Sequence, residues 1–418
     1  AFVSPTSTLP GREGNMRVVA LSSGTAAIHL ALIGCGVGPG DEVIVQSFTF
    51  CASSHPITYL GATPVFVDSE RETWNIDPEL LEFAIKDRIA RTGKKPKAII
   101  PVALYGMPYR IDEIMAIADR YEIPVIEDAA EGFGSKFKGQ MLGTFGRYGA
   151  LSFNGNKMIT TSGGGALICG PTSEQDGWGG ADTIMWYATQ ARESYPYYQH
   201  EKIGYNYRMS NICAGIGRGQ MTVANKHIEH HKHVQSLYEE LLADVPGISV
   251  HCQPQQTCPL KNANGEQDVY DSNYWLCTIT LAPELRIKGQ ENAYKSVIKG
   301  AVGGAAGVIH EAETATTDCQ PNDNVEALRV YLDQAGIEAR PVWKPMHCQP
   351  VYRQGVVKME NIGTKDEDIV CQTSDSSVAY INGISEDIFK IGMCLPAGPY
   401  VSDDDVRYIV EKIREAID

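Results

Sequence analysis

Short, near-continuous apolar runs that alternate with segments of helical spacing limit what the first 170 residues can fold into. Glu42-Val43-Ile44-Val45 follows the turn Gly38-Pro39-Gly40-Asp41 and reads as a strand. Thr63 to Asp68 and Ala98 to Leu104 repeat that character, and Pro124-Val125-Ile126-Glu127-Asp128 closes the series. Ala27 to Gly34, a helix opened by Ser22-Ser23-Gly24-Thr25, precedes them, and Arg110 to Tyr121, which has helical spacing, lies before the last. Apolar strands separated by helices predict a mostly parallel sheet covered on both faces. Ligands of such sheets bind beyond the carboxyl ends of the strands, where Asp128 falls.

Residues 171–245 read as a connector and a long charged helix from Asn225 to Leu242. From about 246 the pattern restarts, with strands at Tyr274–Leu281 and Glu338–Trp343 and helices at Asn324–Gly336 and Asp403–Ile417. The division expected is a large α/β domain over 1–245 and a smaller α+β domain over 246–418. Residues 287–322 contain Gly300-Ala301-Val302-Gly303-Gly304-Ala305-Ala306-Gly307, and read as an insertion of weak structure.

The 418 residues allow roughly two to three domains. A net charge of −15 argues against electrostatic binding of nucleic acid or an acidic membrane. No run is long and apolar enough to span a bilayer, and the first residues carry no secretory pattern. The eleven cysteines include no C-x-x-C pair and read as reduced residues of a cytoplasmic protein.

Chemistry is concentrated in two places. Lys157 sits in a loop rich in Gly, Ser and Thr that runs from Ser152 to Gly165, and Asp128 ends a strand. Such a lysine can form a Schiff base with an aldehyde cofactor, and such a carboxylate can hold a pyridinium nitrogen. Pyridoxal phosphate chemistry needs both. Each residue also has a plainer reading: a solvated loop lysine and a helix-capping aspartate. Their order, with Ser152 between them, favours the cofactor. Ser23-Gly24-Thr25-Ala26 opens a helix and can bind phosphate or be an ordinary cap. Phe50 follows a strand end, where it can stack on a ring or fill the core. Glu131 can face a substrate or solvent. The cluster His227, His230, His231 and His233 lies in a charged helix without a completing ligand set, so no metal site is expected.

In these segments the chain closely resembles the DegT/StrS-type sugar-nucleotide aminotransferases, pyridoxal phosphate enzymes of the aspartate-aminotransferase fold (fold type I). The likeness runs through Ala20–Leu32, Gly38–Val43, Glu127-Asp128-Ala129-Ala130-Glu131, Ser152–Gly165, Gly204–Ser210 and Arg340–His347. It covers roughly residues 18–225 and 324–416. The resemblance implies that Lys157 carries the cofactor and moves the proton, and that Asp128 pairs with the ring nitrogen. Gly24, Thr25 and Ser152 would hold the phosphate, and Phe50 would lie against the ring. Asn206 would reach the phosphate in a neighbouring subunit of a homodimer with shared sites. Glu131 and His347 would face the sugar nucleotide.

The resemblance further implies glutamate as amino donor and a nucleotide-linked keto-sugar as acceptor. The Glu-Asp-Ala-x-Glu and Trp-Lys-Pro-x-His forms look most like enzymes that aminate C4 of a UDP-4-keto-6-deoxy-N-acetylhexosamine for surface glycans. A GDP-4-keto-6-deoxymannose aminotransferase of the perosamine-synthase type is the alternative. A sugar dehydratase would replace Lys157 with histidine, and a non-catalytic regulatory protein of this fold would not need Asp128 with Lys157. A nucleotide-binding reading lacks its G-x-G-x-x-G turn. Only about twenty residues precede the Ser-Gly-Thr segment, so the N-terminal arm of the family is expected to be short here.

Overall fold

The computed structural model describes residues 16–171, 173, 179–254, 270–294, 319–355, 357–362 and 369–418. Residues 1–15 of the expected short arm and residues 295–318 of the expected insertion lie outside these. The chain forms two compact units. The first takes residues up to 232 together with 252–275 and 345–385, and the second takes 233–251, 276–344 and 386–418.

The strands are β1 (Arg17–Leu21), β2 (Glu42–Gln46), β3 (Thr63–Val67), β4 (Ala98–Ile100), β5 (Ile126–Asp128), β6 (Lys136–Phe137), β7 (Gln140–Met141), β8 (Tyr148–Ser152) and β9 (Gly165–Cys169). After them come β10 (Ile248–Val250), β11 (Tyr270–Asp271), β12 (Cys277–Leu281), β13 (Arg340–Pro341), β14 (Lys358–Asn361), β15 (Val370–Thr373), β16 (Val378–Ile381) and β17 (Gly392–Leu395).

In the first unit one run of strands has the order β14-β15-β16-β3-β2-β4, and a second has β5-β8-β9-β1. Parallel bridges Ile99↔Val125 and Val102↔Asp128 join them beside β4 and β5. The centre is parallel, as expected: β16 on β3, β3 on β2, β2 on β4 and β5 on β8. The flanks are antiparallel on both sides. The expected strand over Ala98–Leu104 shortens to three residues, and 104–106 form a tight turn.

Local chemistry sets the helices that cover this sheet. The helix Gly24–Gly34 begins where Ser23 Oγ accepts the Ala26 N–H at 3.0 Å. Its sequence is apolar nearly all round, and it is buried nearly all round. The helix Pro78–Thr92 starts on Asp77, whose carboxylate accepts the Glu79 and Leu80 N–H groups, and ends at Gly93 with φ +71°. Only glycine takes that conformation without cost.

The second unit is an antiparallel sheet of order β10-β12-β17-β13. The helices Asp323–Gln334 and Asp403–Ala416 pack Leu328, Leu332, Ile409 and Ile413 into its core. A capping box between Ser402 and Asp405 starts the latter helix. Among the described residues no helix is long and apolar enough to cross a membrane.

β5 places neighbouring carboxylates on opposite faces of the sheet, because side chains alternate along a strand. Glu127 is wholly buried and accepts the backbone N–H of Gly143 at 3.0 Å, Phe145 at 2.6 Å and Gly146 at 2.7 Å. Burial pushes its carboxyl above the usual range, and those N–H groups pull it back. Glu127 thus secures the turn that feeds β8. Glu127→Ala strands three N–H groups at roughly 1–3 kcal/mol each, less whatever water recovers, so a loss of about 3–5 kcal/mol is expected in denaturant unfolding. A loss below about 1 kcal/mol would contradict this role.

Candidate active site

Asp128 ends β5 with its backbone pinned on both sides. Its N–H donates to Pro101 O at 2.9 Å and its carbonyl accepts the Ala103 N–H at 3.0 Å. Its carboxylate accepts Ser53 Oγ–H at 2.6 Å on Oδ2 and the Ala130 N–H at 3.1 Å on Oδ1. Ser53 is in turn 2.7 Å from Thr49 Oγ1. All three side chains are buried. Burial raises the Asp128 carboxyl above its ordinary range, while Ser53, Ala130 and the Lys157 charge hold it down.

Lys157 lies in the loop between β8 and β9. The Phe153 N–H donates to Gly164 O at 2.9 Å and the Thr161 N–H to Phe153 O at 2.8 Å, which closes the loop at its base. The lysine side chain is 12% exposed, and its Nζ donates to Glu131 Oε1 at 3.0 Å. Glu131 Oε2 accepts the Tyr105 N–H at 2.8 Å. Tyr105 holds φ at +54°, a left-handed conformation uncommon outside glycine. Burial raises the Glu131 carboxyl, Lys157 lowers it, and the charge of Asp128 raises it further. Asp128, Glu131 and Lys157 therefore form one electrostatic cluster. The Nζ also stands 4.1 Å from the ring centre of Trp275.

Gly24 and Ser152 meet at a second point. A Cβ on Gly24 would come within 3.0 Å of Ser152 Cβ and 3.4 Å of its Oγ. The serine hydroxyl thus stands against the first turn of the helix Gly24–Gly34, beside the partly buried Thr25. A helix start with a hydroxyl beside it suits a phosphate. The amine suits an aldehyde, and the buried carboxylate suits a protonated ring nitrogen. The residues present therefore fit pyridoxal phosphate.

The other expected residues stand on separate segments. Phe50 is 54% exposed, whereas Phe48 is wholly buried and packs edge-on near Tyr105. Asn206 is exposed within an extended stretch bridged to Thr189, and its neighbours Tyr205 and Tyr207 stack 5.0 Å apart. His347 is buried, with Nδ1 2.6 Å from Ser47 Oγ and its N–H donated to the same oxygen at 3.2 Å. The loop after β2 thus serves both His347, through Ser47, and Asp128, through Ser53.

Sequence reasoning missed Ser53, Tyr105 and Trp275. Ser53 lay in an unremarkable Cys-Ala-Ser-Ser stretch, and Trp275 lay inside an expected strand. The histidine cluster does not converge. His227 Nδ1–H donates to Met158 O at 3.1 Å, His231 Nδ1–H to Tyr274 O at 3.1 Å, and His233 pairs with Asp403 at 2.8 Å. His227 and His231 thus fasten the residues next to Lys157 and Trp275. Burial lowers His231 to about 4, so it remains neutral at physiological pH.

The raised Asp128 carboxyl has a consequence for stability. Its protonated form stabilises the fold below the ordinary carboxylate range near 3.9, and that contribution is lost as pH rises through the raised folded-state value. In cofactor-free protein Asp128→Asn removes the loss, because Asn Oδ1 still accepts from Ser53 or Ala130. The variant should melt above the wild type at pH 8, with the gap closing towards pH 4. A gap independent of pH, or of opposite sign, would refute the assignment of buried charge to Asp128.

Residues 12–303 match the DegT/DnrJ/EryC1/StrS aminotransferase family. The putative pyridoxal phosphate-dependent aminotransferase EpsN of Bacillus subtilis is 38% identical over 403 residues, which span 96% of this chain and 84% of that protein. The GDP-perosamine synthase of Escherichia coli O157:H7 is 32% identical over 395 residues, 94% of this chain and 84% of that one. A crystal structure of a DegT DnrJ EryC1 StrS aminotransferase from Brucella abortus superposes with a TM-score of 0.69 at 26% identity, over 96% of this chain and 85% of that one. The chain belongs to the DegT/DnrJ/EryC1/StrS family of pyridoxal phosphate-dependent aminotransferases.

Proposed function

We propose that this enzyme moves an amino group from glutamate to a nucleotide-linked keto-deoxysugar, most specifically to C4 of a UDP-4-keto-6-deoxy-N-acetylhexosamine in surface-glycan synthesis. The observation that carries the reading is the buried cluster of Lys157, Glu131 and Asp128. When bound, pyridoxal phosphate supplies the carbonyl and the electron-withdrawing ring. The chain's own residues do the rest. Asp128, whose carboxylate accepts from Ser53 and the Ala130 N–H, would pair with the ring nitrogen. Gly24, Thr25 and Ser152 would hold the phosphate, and Phe50 would lie against the ring. Lys157 Nζ takes and returns the proton at the reacting carbon, and Glu131 balances its charge when it is protonated. Glu131 and His347 face the sugar. One site serves donor and acceptor in turn, so ping-pong kinetics are expected.

Two copies of the chain complete the site in this reading. The helix Asn211–Met221 buries none of its residues, and it exposes Ile212, Ile216 and Met221. Tyr197, Tyr198 and Ile203 are exposed just before it. So much apolar surface in one stretch suits a covering partner, and Asn206 lies within it. Extended backbone turns Tyr205 and Tyr207 inwards against His29 and leaves Asn206 exposed on the outer side, and in this reading Asn206 would reach the second copy's phosphate.

A GDP-4-keto-6-deoxymannose acceptor is the second reading, favoured by the similarity to GDP-perosamine synthase. Incubation with glutamate and a panel of UDP- and GDP-linked 4-keto-6-deoxysugars, followed by mass spectrometry of 2-oxoglutarate and amino sugar, separates the two. The UDP acetamido sugar should be aminated with the higher kcat/KM, and Lys157→Ala should lose about 10²–10⁴-fold or more in rate. Preference for the GDP sugar would select the second reading. Absence of amination and of 2-oxoglutarate with every acceptor would overturn both.

A further inference from the structure

The ammonium of Lys157 has two neighbours of different kinds, a carboxylate and an indole face. Trp275 is 4% exposed and its ring centre is 4.1 Å from Nζ. Its Nε1–H donates to Asn156 O at 2.8 Å, one residue before the lysine. Its backbone N–H donates to Asn273 Oδ1 at 2.8 Å. The same Asn273 donates from Nδ2 to Glu131 O at 2.7 Å and to Phe133 O at 2.9 Å. Its own N–H donates to Ser135 Oγ at 2.9 Å. Gly106, at φ +92°, makes room for it, since a Cβ there would stand 1.9 Å from Asn273 Oδ1.

One fully engaged asparagine therefore sets the backbone of both walls around the lysine: the carboxylate of Glu131 and the indole of Trp275. A tryptophan that merely filled the core would need none of these links to the lysine loop. An indole face attracts a cation, and more strongly where water is excluded. The contact acts on the ammonium and hardly on the neutral amine, so it discriminates between the two states that proton transfer interconverts.

We propose that Trp275 is a positioning residue for the amino-transfer reaction, its indole face holding the Lys157 ammonium in place. This rests on the reading of Lys157 as the reacting amine. When Lys157 accepts a proton, the cation forms between the indole and Glu131. When it gives the proton up, the indole contact weakens and Nζ is released to move. Leucine at 275 would retain apolar volume but lose that distinction.

The test uses cofactor-free protein and trace acetic anhydride, with peptide mass spectrometry reporting acetylation of Lys157 across pH 8 to 11. In Trp275→Leu the labelling rate at pH 8 should rise about 2- to 30-fold, the range spanned by cation–π contacts at tenfold per 1.36 kcal/mol. Trp275→Phe should fall between the two. The ratio should shrink towards one between pH 8 and 11, because the indole contact acts on the ammonium and hardly on the neutral amine. An unchanged rate at pH 8 overturns the proposal, and so does a ratio that stays constant with pH, which would mean simple uncovering. Should Trp275→Leu fail to fold, Trp275→Phe decides on the same two criteria. The labelling involves neither cofactor nor sugar, so its outcome is separate from that of the acceptor panel.

Discussion

Lys157 Nζ lies 3.0 Å from Glu131 and close enough to Asp128 to hold its carboxyl down, in surroundings where each ion has lost most of its water. At an effective dielectric of about 20, unit charges about 4 Å apart attract by roughly 4 kcal/mol, while desolvation costs several kcal/mol per ion. One lysine cannot balance two such carboxylates. Burial raises both of them, and each raised group is met by donors of the chain: the Tyr105 N–H for Glu131, and Ser53 with the Ala130 N–H for Asp128. Glu131 takes the hydrogen bond of Lys157, so Asp128 is the carboxylate with more charge left to balance. A protonated ring nitrogen would balance it, which is why the cluster suits pyridoxal phosphate better than a structural role.

The parallel centre of the sheet brings the cluster together. Ser47 and Ser53 follow β2, Tyr105 follows β4, Asp128 ends β5 and Ser152 ends β8. All are at carboxyl ends of strands that run the same way, so segments far apart in sequence open onto one edge. Glu127 on the other face of β5 does the complementary work, tying down the turn before β8. Adjacent carboxylates in one short motif thus divide into one for the site and one for the fold.

Strands β2, β3 and β5 were legible because fully buried strands are nearly continuous in apolar residues, and the helix at Ala224–Leu242 because its length and charge leave little else. Strand β14 was not, since it is largely exposed and lacks an apolar run, whereas β16, a buried Val-Ala-Tyr-Ile run, carries the same signal and was missed. Tyr274 and Trp275 continue the apolar pattern of β12, so periodicity alone assigns them to it. The strand starts at Cys277 because Asn273 diverts the backbone towards Glu131. Asp128 and Lys157 could be found from residue type, order and loop composition. Ser53, Tyr105 and Trp275 could not, because their part depends on contacts between distant segments.

Borohydride reduction of the protein loaded with pyridoxal phosphate, followed by peptide mass spectrometry, locates the amine that carries the cofactor. One pyridoxyl group per chain is expected, on Lys157, and none on Lys136, Lys138 or Lys344. A pyridoxyl group spread over several lysines, or fixed on a single other one, would contradict it.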